Sequence, residues 1–505
     1  MNLTYSAIAT RRSALWLVAT AAFSSAAMAQ QNPMQIDVTG SRESASSILT
    51  PTKILQGNEL QDKLGTTLGA TIGNELGVSQ TGYGLGASRP VMRGLEGARV
   101  QILQNGLSVG DVSAISADHA VASPVANARQ IEILRGAAAL LYGSGSSGGL
   151  VNVVNDRILT TLPDKPTGAV NTSYDTVSNG RAASGVIESS VGSVAVHVDT
   201  AINNNQNYRI PGYAEQNGPN ANWKINPNNN YGIPTPEGGM IAQSQNRYDF
   251  QHQTRDPFAG FSSIKFSAAN SNYNHTEFSI TNGAYTPAAL WKNIANEARL
   301  ELAHKAIMGW KGTFGAQVTT VLSAEGPFAS PTTDPTAPQV QSKNFNLISY
   351  SAGGLWNFAN GYGTGLSYTV SQRAPSAQEL YSYGIHESTA TFAVGNSNLS
   401  KETSHNLEFN LQKTMGQVRG KVNVYLNKFN NYIYGFYTGQ YITDAAEEGK
   451  GFSVVQAQQA AATIRGAEGE FTYNWGNVGN GARLFADASQ GTFDAGGNLP
   501  LQPAP

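Results

Sequence analysis

The chain has 505 residues, with 32 Lys and Arg against 34 Asp and Glu, a formal net charge of −2, 13% charged residues and no cysteine. Near-neutral charge argues against a nucleic-acid partner, and the missing cysteines exclude disulfides, thiolate metal sites and cysteine nucleophiles. Glycine at 54 and tyrosine at 21, with so little charge, suit a membrane β-barrel and also suit a soluble β-solenoid or adhesin.

Residues 1–29 read as a secretory signal peptide. Arg11 and Arg12 precede an apolar run from Ala14 to Phe23, and Ala27-Met28-Ala29 gives a small-x-small cleavage pattern before Gln30. That run is too short to cross about 30 Å of hydrocarbon, and no later stretch reaches about 18 consecutive apolar residues, so helical spanning is not expected. Residues 30–50 form an extended polar leader. Residues 51–160 read as a compact globular unit. Within it the strands Arg99–Leu103 and Gln130–Leu134 each lead into a glycine turn, Asn105-Gly106 and Arg135-Gly136. An alanine- and leucine-rich helix, Ala137–Tyr142, precedes a glycine–serine turn and a third strand, Leu150–Val154. Gly143, Gly145 and Gly148 have the spacing of a dinucleotide loop. Here, however, the loop follows a helix and opens a strand, the reverse of the order such a loop needs. These glycines are read as turn and close-packing positions.

Residues 166–505 read as a series of alternating strands separated by Gly, Asn and Pro-rich loops. Val194, Val196 and Val198 alternate with Ala195, His197 and Asp199. Leu366, Tyr368 and Val370 alternate with Ser367, Thr369 and Ser371. Leu407, Phe409 and Leu411 alternate with Glu408, Asn410 and Gln412. A period of two puts one set on each face of a sheet. Apolar toward lipid and polar toward a wet lumen is the membrane-barrel pattern, and a soluble sandwich alternates with the apolar face inward. No Gly-x-Ser-x-Gly stands on a strand–turn–helix, and no enzymatic chemistry is expected.

Five ordered pieces narrow the reading: Arg93-Gly94, Asn105-Gly106, Ile131-Glu132-Ile133-Leu134-Arg135-Gly136, Leu141-Tyr142-Gly143 and Gly148-Gly149-Leu150-Val151-Asn152. Together they resemble the plug domain of TonB-dependent outer-membrane receptors. Ile36, Asp37, Val38, Thr39 and Gly40 resemble the coupling box of the same family, a β-prone strip able to add as a strand to a periplasmic partner. The resemblance implies an α+β plug inside a 22-stranded antiparallel membrane β-barrel in the outer membrane of a Gram-negative bacterium. It also implies energised uptake of a scarce ligand, driven by the TonB–ExbB–ExbD complex through the leader. About 22 strands of roughly 9–11 residues need ~220 residues for spanning alone. Only about 14–16 candidate strands are readable in 166–505. The last residues, Asn498 to Pro505, look like a loop. The expectation is therefore a partial barrel, truncated at its C-terminus, with strands also lost between about Ala324 and Phe345.

Further segments resemble the zinc-uptake receptors of the ZnuD type. They are Ser116-Ala117-Asp118-His119-Ala120, Tyr273-Asn274-His275-Thr276-Glu277, Gln378 to His386, Phe392 to Asn396, and Asn431-Tyr432-Ile433-Tyr434. The resemblance implies a metal site of Asp118, His119, Glu277 and His386, holding Zn²⁺ as transported ligand; no prosthetic group is expected. Two imidazoles and two carboxylates form a borderline donor set that suits Zn²⁺ and also fits copper or nickel. His275, two residues before Glu277 on a strand, shares its face and is an alternative ligand. Residues 235–250 hold no histidine where zinc receptors often carry a metal-collecting loop, and the seven histidines, 119, 197, 252, 275, 304, 386 and 405, do not cluster in the sequence. His197 is expected to face the lumen without a ligand role, and His252, His304 and His405 to be solvated or lumen-lining. The alternatives are a siderophore or metal-chelate receptor, lined by Tyr381, Tyr383 and Tyr437, a non-transporting surface-binding protein, or a non-functional barrel fragment.

Overall fold

The computed structural model describes residues 37–38, 43–44, 52–81, 87–109, 119, 121, 125, 127–135, 145–155, 159, 162–206, 238–281, 284–324, 342–359, 361–386, 389–443, 451–475 and 481–500. The signal segment 1–29, Ile36, Thr39, Gly40, Asp118 and the expected helix Ala137–Tyr142 lie outside the described residues. The described residues belong to one compact unit, Asp37–Pro505.

The leader contributes a minimal hairpin, β1 (Asp37–Val38) paired with β2 (Glu43–Ser44). Then follow β3 (Thr52–Gln56), α1 (Gly57–Lys63), α2 (Leu68–Ile72), β4 (Val78–Gln80), β5 (Pro90–Met92), β6 (Val100–Gln104), β7 (Leu107–Ser108), β8 (Gln130–Leu134) and β9 (Gly149–Val154). They form a small α+β unit around a sheet of order β3-β8-β9-β6-β7, in which only β6 and β9 run parallel. Strand alternation sends Ile131, Ile133, Val151 and Val153 into a core with Leu55, Leu60, Leu68, Ile72 and Met92. The opposite face of β8 and β9 is buried as well, and beside Leu134, Leu150 and Val154 it carries the polar Gln130, Glu132 and Asn152. Glu132 accepts from Gln130 Nε2 at 2.6 Å and Asn152 Nδ2 at 2.8 Å, and Asn152 Oδ1 accepts from the Gly106 amide at 2.8 Å. The Asn105-Gly106 turn has φ +52° and +85°, the two left-handed residues that a two-residue hairpin turn matching the strand twist requires. A Cβ at Gly148 would meet Leu95 Cβ at 2.9 Å, so this glycine is a close-packing position.

The rest is an up-and-down antiparallel array. β10 (Thr167–Asp175), β11 (Gly180–Val191) and β12 (Val194–Asn204) form one sheet. A second begins with β13 (Gly238–Arg255), β14 (Phe261–Thr281), β15 (Ala284–His304), β16 (Trp310–Ala324), β17 (Ser342–Ala359) and β18 (Tyr362–Arg373). An inserted segment carries α3 (Ala377–Tyr381), β19 (Tyr383–His386) and β20 (Thr391–Val394). The array resumes with β21 (Glu402–Lys413), β22 (Val418–Thr443), β23 (Gly451–Asn474) and β24 (Gly481–Phe493). β20 lies parallel to the upper part of β23. Among the described residues β12 does not pair with β13, and β10 and β24 have one neighbour each.

The sense of the alternation distinguishes a membrane barrel from a sandwich. Val194, Val196 and Val198 are 60%, 42% and 62% exposed, and Leu407, Phe409 and Leu411 are exposed in the same way. The intervening Glu402, Ser404, Asn406, Glu408 and Asn410 are buried, as are Ser367, Thr369 and Ser371. Apolar side chains thus stand outward and polar ones line a lumen filled by the plug, the reverse of a soluble core. Connections also sort by end. β13–β14, β15–β16, β17–β18, β21–β22 and β23–β24 are joined by short turns at one end, whereas the longer connections, those from β12 to β13, β16 to β17 and β18 to β21, leave the strands at the other. Outward aromatics gather near the short-turn end. Trp310 stacks on Trp356 at 5.8 Å between centroids, and Phe358 and Tyr362 continue the row. This matches the interfacial aromatic girdle of membrane barrels.

Candidate metal centre

β14 carries Tyr273, His275 and Glu277 at alternate positions, so the strand period points all three to the lumen. β14 is 21 residues long, about twice what a tilted spanning strand needs, and these residues sit toward its long-loop end. Just beyond Glu277 the register shifts, Glu277 pairing with Ala289 and Phe278 with Pro287, so β15 carries one extra residue there, a bulge beside the candidate site. The plug supplies His119 from the other side. His275 and His119 are 0% and 3% exposed.

Ligand atoms of His119, His275 and Glu277 all lie within 4.8 Å of one another. Glu277 Oε1 is 3.3 Å from His275 Nε2 and 3.6 Å from His119 Nε2. A tetrahedral site with bonds of about 2.0–2.1 Å has ligand atoms about 3.3–3.5 Å apart, so two edges of such a site are nearly at metal-binding length. His386, at the end of β19, places its ring 6.4 Å from that of His119, and His275 places its ring 6.1 Å from it on another side. The Thr389 hydroxyl lies 3.2 Å from His386 Nδ1 and steadies the ring. Trp291 on β15 donates its indole N–H to Glu277 Oε1 at 3.0 Å, and the Tyr273 hydroxyl stands 3.1 Å from His275 Nδ1.

Of the residues expected from the sequence, the structure thus brings His119 and Glu277 together, adds His275 as the third close donor, and sets His386 at the margin. Asp118 lies outside the described residues. Trp291 has no signal in the sequence, because its contact with Glu277 crosses from β15 to β14, and Tyr273 stands there only as part of a resembling segment, although its contact with His275 is two residues along the same strand. The His275–Glu277 spacing of two was the one readable signal for the third donor.

The remaining histidines divide by face. His197 points to the plug. Its Nδ1 is 3.0 Å from Glu188 and its Nε2 is 3.3 Å from Asp199. The plug's Arg129 and Asn127 donate to the same two carboxylates, so this cluster docks the plug. His252, His304 and His405, expected to be solvated or lumen-lining, do not face the lumen. Each follows the parity of exposed apolar neighbours, Tyr248 and Phe250, Leu300, and Leu407, and so stands on the outward face. His405 Nδ1 is 2.9 Å from the Tyr368 hydroxyl there. Tyr381 is buried against Leu380, Phe345 and Ile433, whereas Tyr437 is 63% exposed, so these two tyrosines do not line a common aromatic pocket.

Two further ion-pair networks among the described residues join plug to barrel. Arg93 lies between Glu408 and Glu468, at 3.0 and 2.9 Å, with its guanidinium carbon 3.9 Å from the Tyr425 ring centroid. Arg135 reaches Glu468 at 3.2 Å. Burial works against the charge of Arg93, but Glu408 and Glu468 outweigh it and hold its pKa well above the usual arginine value. Nearer the long loops, Arg99 pairs with Glu402 at 2.6 Å. Glu402 also accepts from Arg373, which pairs with Glu379 of α3 at 2.8 Å.

The family described as TonB dependent receptor-like, beta-barrel matches residues 192–504, and the TonB-dependent Receptor Plug Domain matches residues 44–150. The chain belongs to the TonB-dependent receptors, a family of outer-membrane barrels of Gram-negative bacteria and not of enzymes. Solved structures share the fold at low identity. The copper transporter OprC is 14% identical with a TM-score of 0.66, covering 91% of this chain and 81% of that one. The ferric citrate transporter FecA in its unliganded form is 12% identical with a TM-score of 0.57, covering 90% and 80%. The siderophore receptor PirA from Acinetobacter baumannii is 12% identical with a TM-score of 0.55, covering 88% and 80%.

Proposed function

We propose that this receptor takes up a free divalent metal ion, zinc foremost, and that the ion is its transported substrate, bound between plug and barrel by His119, His275 and Glu277. His386 and Asp118 are the candidates to complete the set. The observation that carries this reading is the spacing of the Glu277 carboxylate from two buried imidazoles, 3.3 and 3.6 Å, nearly that of a small tetrahedral site. Imidazole and carboxylate form a borderline set suited to Zn²⁺ and open to Cu²⁺, and the copper named for OprC is the first competitor to test. A buried site this narrow suits a bare ion better than a bulky siderophore. The ligands come from two bodies, so movement of the plug would take His119 away from His275 and Glu277 and release the ion. The pull would come from TonB–ExbB–ExbD, with Asp37–Val38 and its neighbours Ile36, Thr39 and Gly40 adding as a strand to TonB.

Radiozinc accumulation in cells starved of zinc tests this reading. Expression of the receptor is expected to raise uptake, and deletion of residues 37–40 to abolish it while surface binding persists. Uptake unaffected by the deletion would show a binding protein without energised transport. Uptake of a ferric chelate and not of zinc would give the site to the siderophore reading.

A further inference from the structure

The residues around the three donors have chemistry of their own. Trp291 faces His275 across the β14–β15 ladder and is 4% exposed, packed against Ala289 and against Ala377 of α3. An indole N–H is a donor only. Its 3.0 Å contact with Glu277 Oε1 therefore occupies one lone pair of that oxygen and fixes the plane of the carboxylate. A glutamate held in this way offers a metal one oxygen in a set direction, as an isolated carboxylate free to turn and chelate does not.

Tyr273 acts on the other donor. A neutral imidazole has one N–H and one lone pair, and its second nitrogen decides which faces the metal. With Nε2 protonated, His275 donates to Glu277 Oε1 at 3.3 Å and Nδ1 accepts from the Tyr273 hydroxyl. To bind a metal, Nε2 must present its lone pair, so the proton must sit on Nδ1, which then donates to Tyr273 Oη. A hydroxyl both donates and accepts, so the same 3.1 Å contact serves both tautomers. The ring stays neutral in each, and one proton changes nitrogen.

We propose that Trp291 and Tyr273 are positioning residues for the transported metal, Trp291 setting the orientation of Glu277 and Tyr273 stabilising the metal-binding tautomer of His275. The inference rests on the metal reading of the His119–His275–Glu277 site. Groups that orient metal ligands typically contribute about 10–100-fold in affinity.

Trp291→Phe keeps an aromatic ring in the packed position and removes the N–H. Tyr273→Phe removes only the hydroxyl. Each receptor, purified as the full chain, is titrated with Zn²⁺ and separately with Co²⁺, whose visible bands report coordination number and geometry. Each variant is expected to bind Zn²⁺ roughly 10–100-fold more weakly, and Trp291→Phe to change the Co²⁺ bands as Glu277 turns. Weaker binding by Trp291→Phe with unchanged Co²⁺ bands would mean a packing role and overturn its part of the proposal. Wild-type affinity in both variants, together with binding lost in His275→Ala, would overturn the proposal and leave the metal site standing. No binding of either metal by the wild type would remove the site and the proposal together. Heat-modifiable mobility on a gel checks that each variant retains the barrel. If Trp291→Phe fails that check, Tyr273→Phe and Trp291→Tyr carry the test.

Discussion

Arg93 holds a backbone conformation that its side chain alone would not favour. Its φ is +54°, followed by Gly94 at +71°, a tight reversal in the left-handed region that costs a non-glycine residue on the order of 1 kcal/mol or more. Glu408 and Glu468 over-determine it, because the guanidinium can lie between both carboxylates only if the chain turns there. Glu468 also serves Arg135, so replacing Glu468 with Ala leaves two buried cations short of a partner. Removing one member of a buried pair costs roughly 3–5 kcal/mol. Glu468→Ala is accordingly expected to lower the denaturant midpoint of plug unfolding and to expose residues 52–155 to limited proteolysis. An unchanged midpoint would mean that the plug is held by its apolar core and by His197, Glu188 and Asp199. The two arginines were readable as turn-flanking residues of a family pattern. The carboxylates were not, because they lie hundreds of residues away and sit among other polar, lumen-facing positions of ordinary strands.

The decisive element is the inserted segment between β18 and β21. α3 has only five residues, and its stability comes from its cap. Ser376 Oγ accepts from the Glu379 amide at 3.1 Å, and Glu379 Oε2 accepts from the Ser376 amide at 2.7 Å, a reciprocal capping box. The same Glu379 pairs with Arg373, and Ala377 packs on Trp291. One short helix therefore touches the metal-side aromatic, the arginine network that reaches the plug, and the hairpin that carries His386. Ser376→Ala is expected to cost about 1 kcal/mol locally. Amide hydrogen exchange across 377–386 would then quicken roughly fivefold while the strands exchange as before. Unchanged exchange would mean that packing on Trp291 and Leu399 suffices without the cap. Strand elements were legible from alternation and turn glycines: β8 stands at Gln130–Leu134 as expected, β6 is shifted by one residue at both ends, and β9 begins one residue earlier. The facing of lone histidines was harder to read. His252, His304 and His405 belong to the outward set by parity, and parity becomes readable only when the flanking apolar residues are taken as lipid-facing.

At the scale of the whole molecule, the fold makes a site that neither part makes alone. The barrel holds His275 and Glu277 on one rigid strand, anchored across the ladder by Trp291. The plug carries His119 on the other side of the cluster. On the proposed metal reading, withdrawal of the plug would divide the donor set, because His119 comes from the plug and His275 and Glu277 from β14. His119 and Glu277 were named as candidates through the family resemblance and His275 through its spacing from Glu277; the close approach of the three depends on long-range register that no local periodicity encodes. The most direct test of this account is isothermal titration of Zn²⁺ into the purified receptor, wild type against His119→Ala/His275→Ala. The account predicts tight one-to-one binding in the wild type and none in the double variant, with barrel stability unchanged. Absent binding in the wild type, or equal binding in both, would contradict it and leave a TonB-dependent receptor whose ligand is held elsewhere.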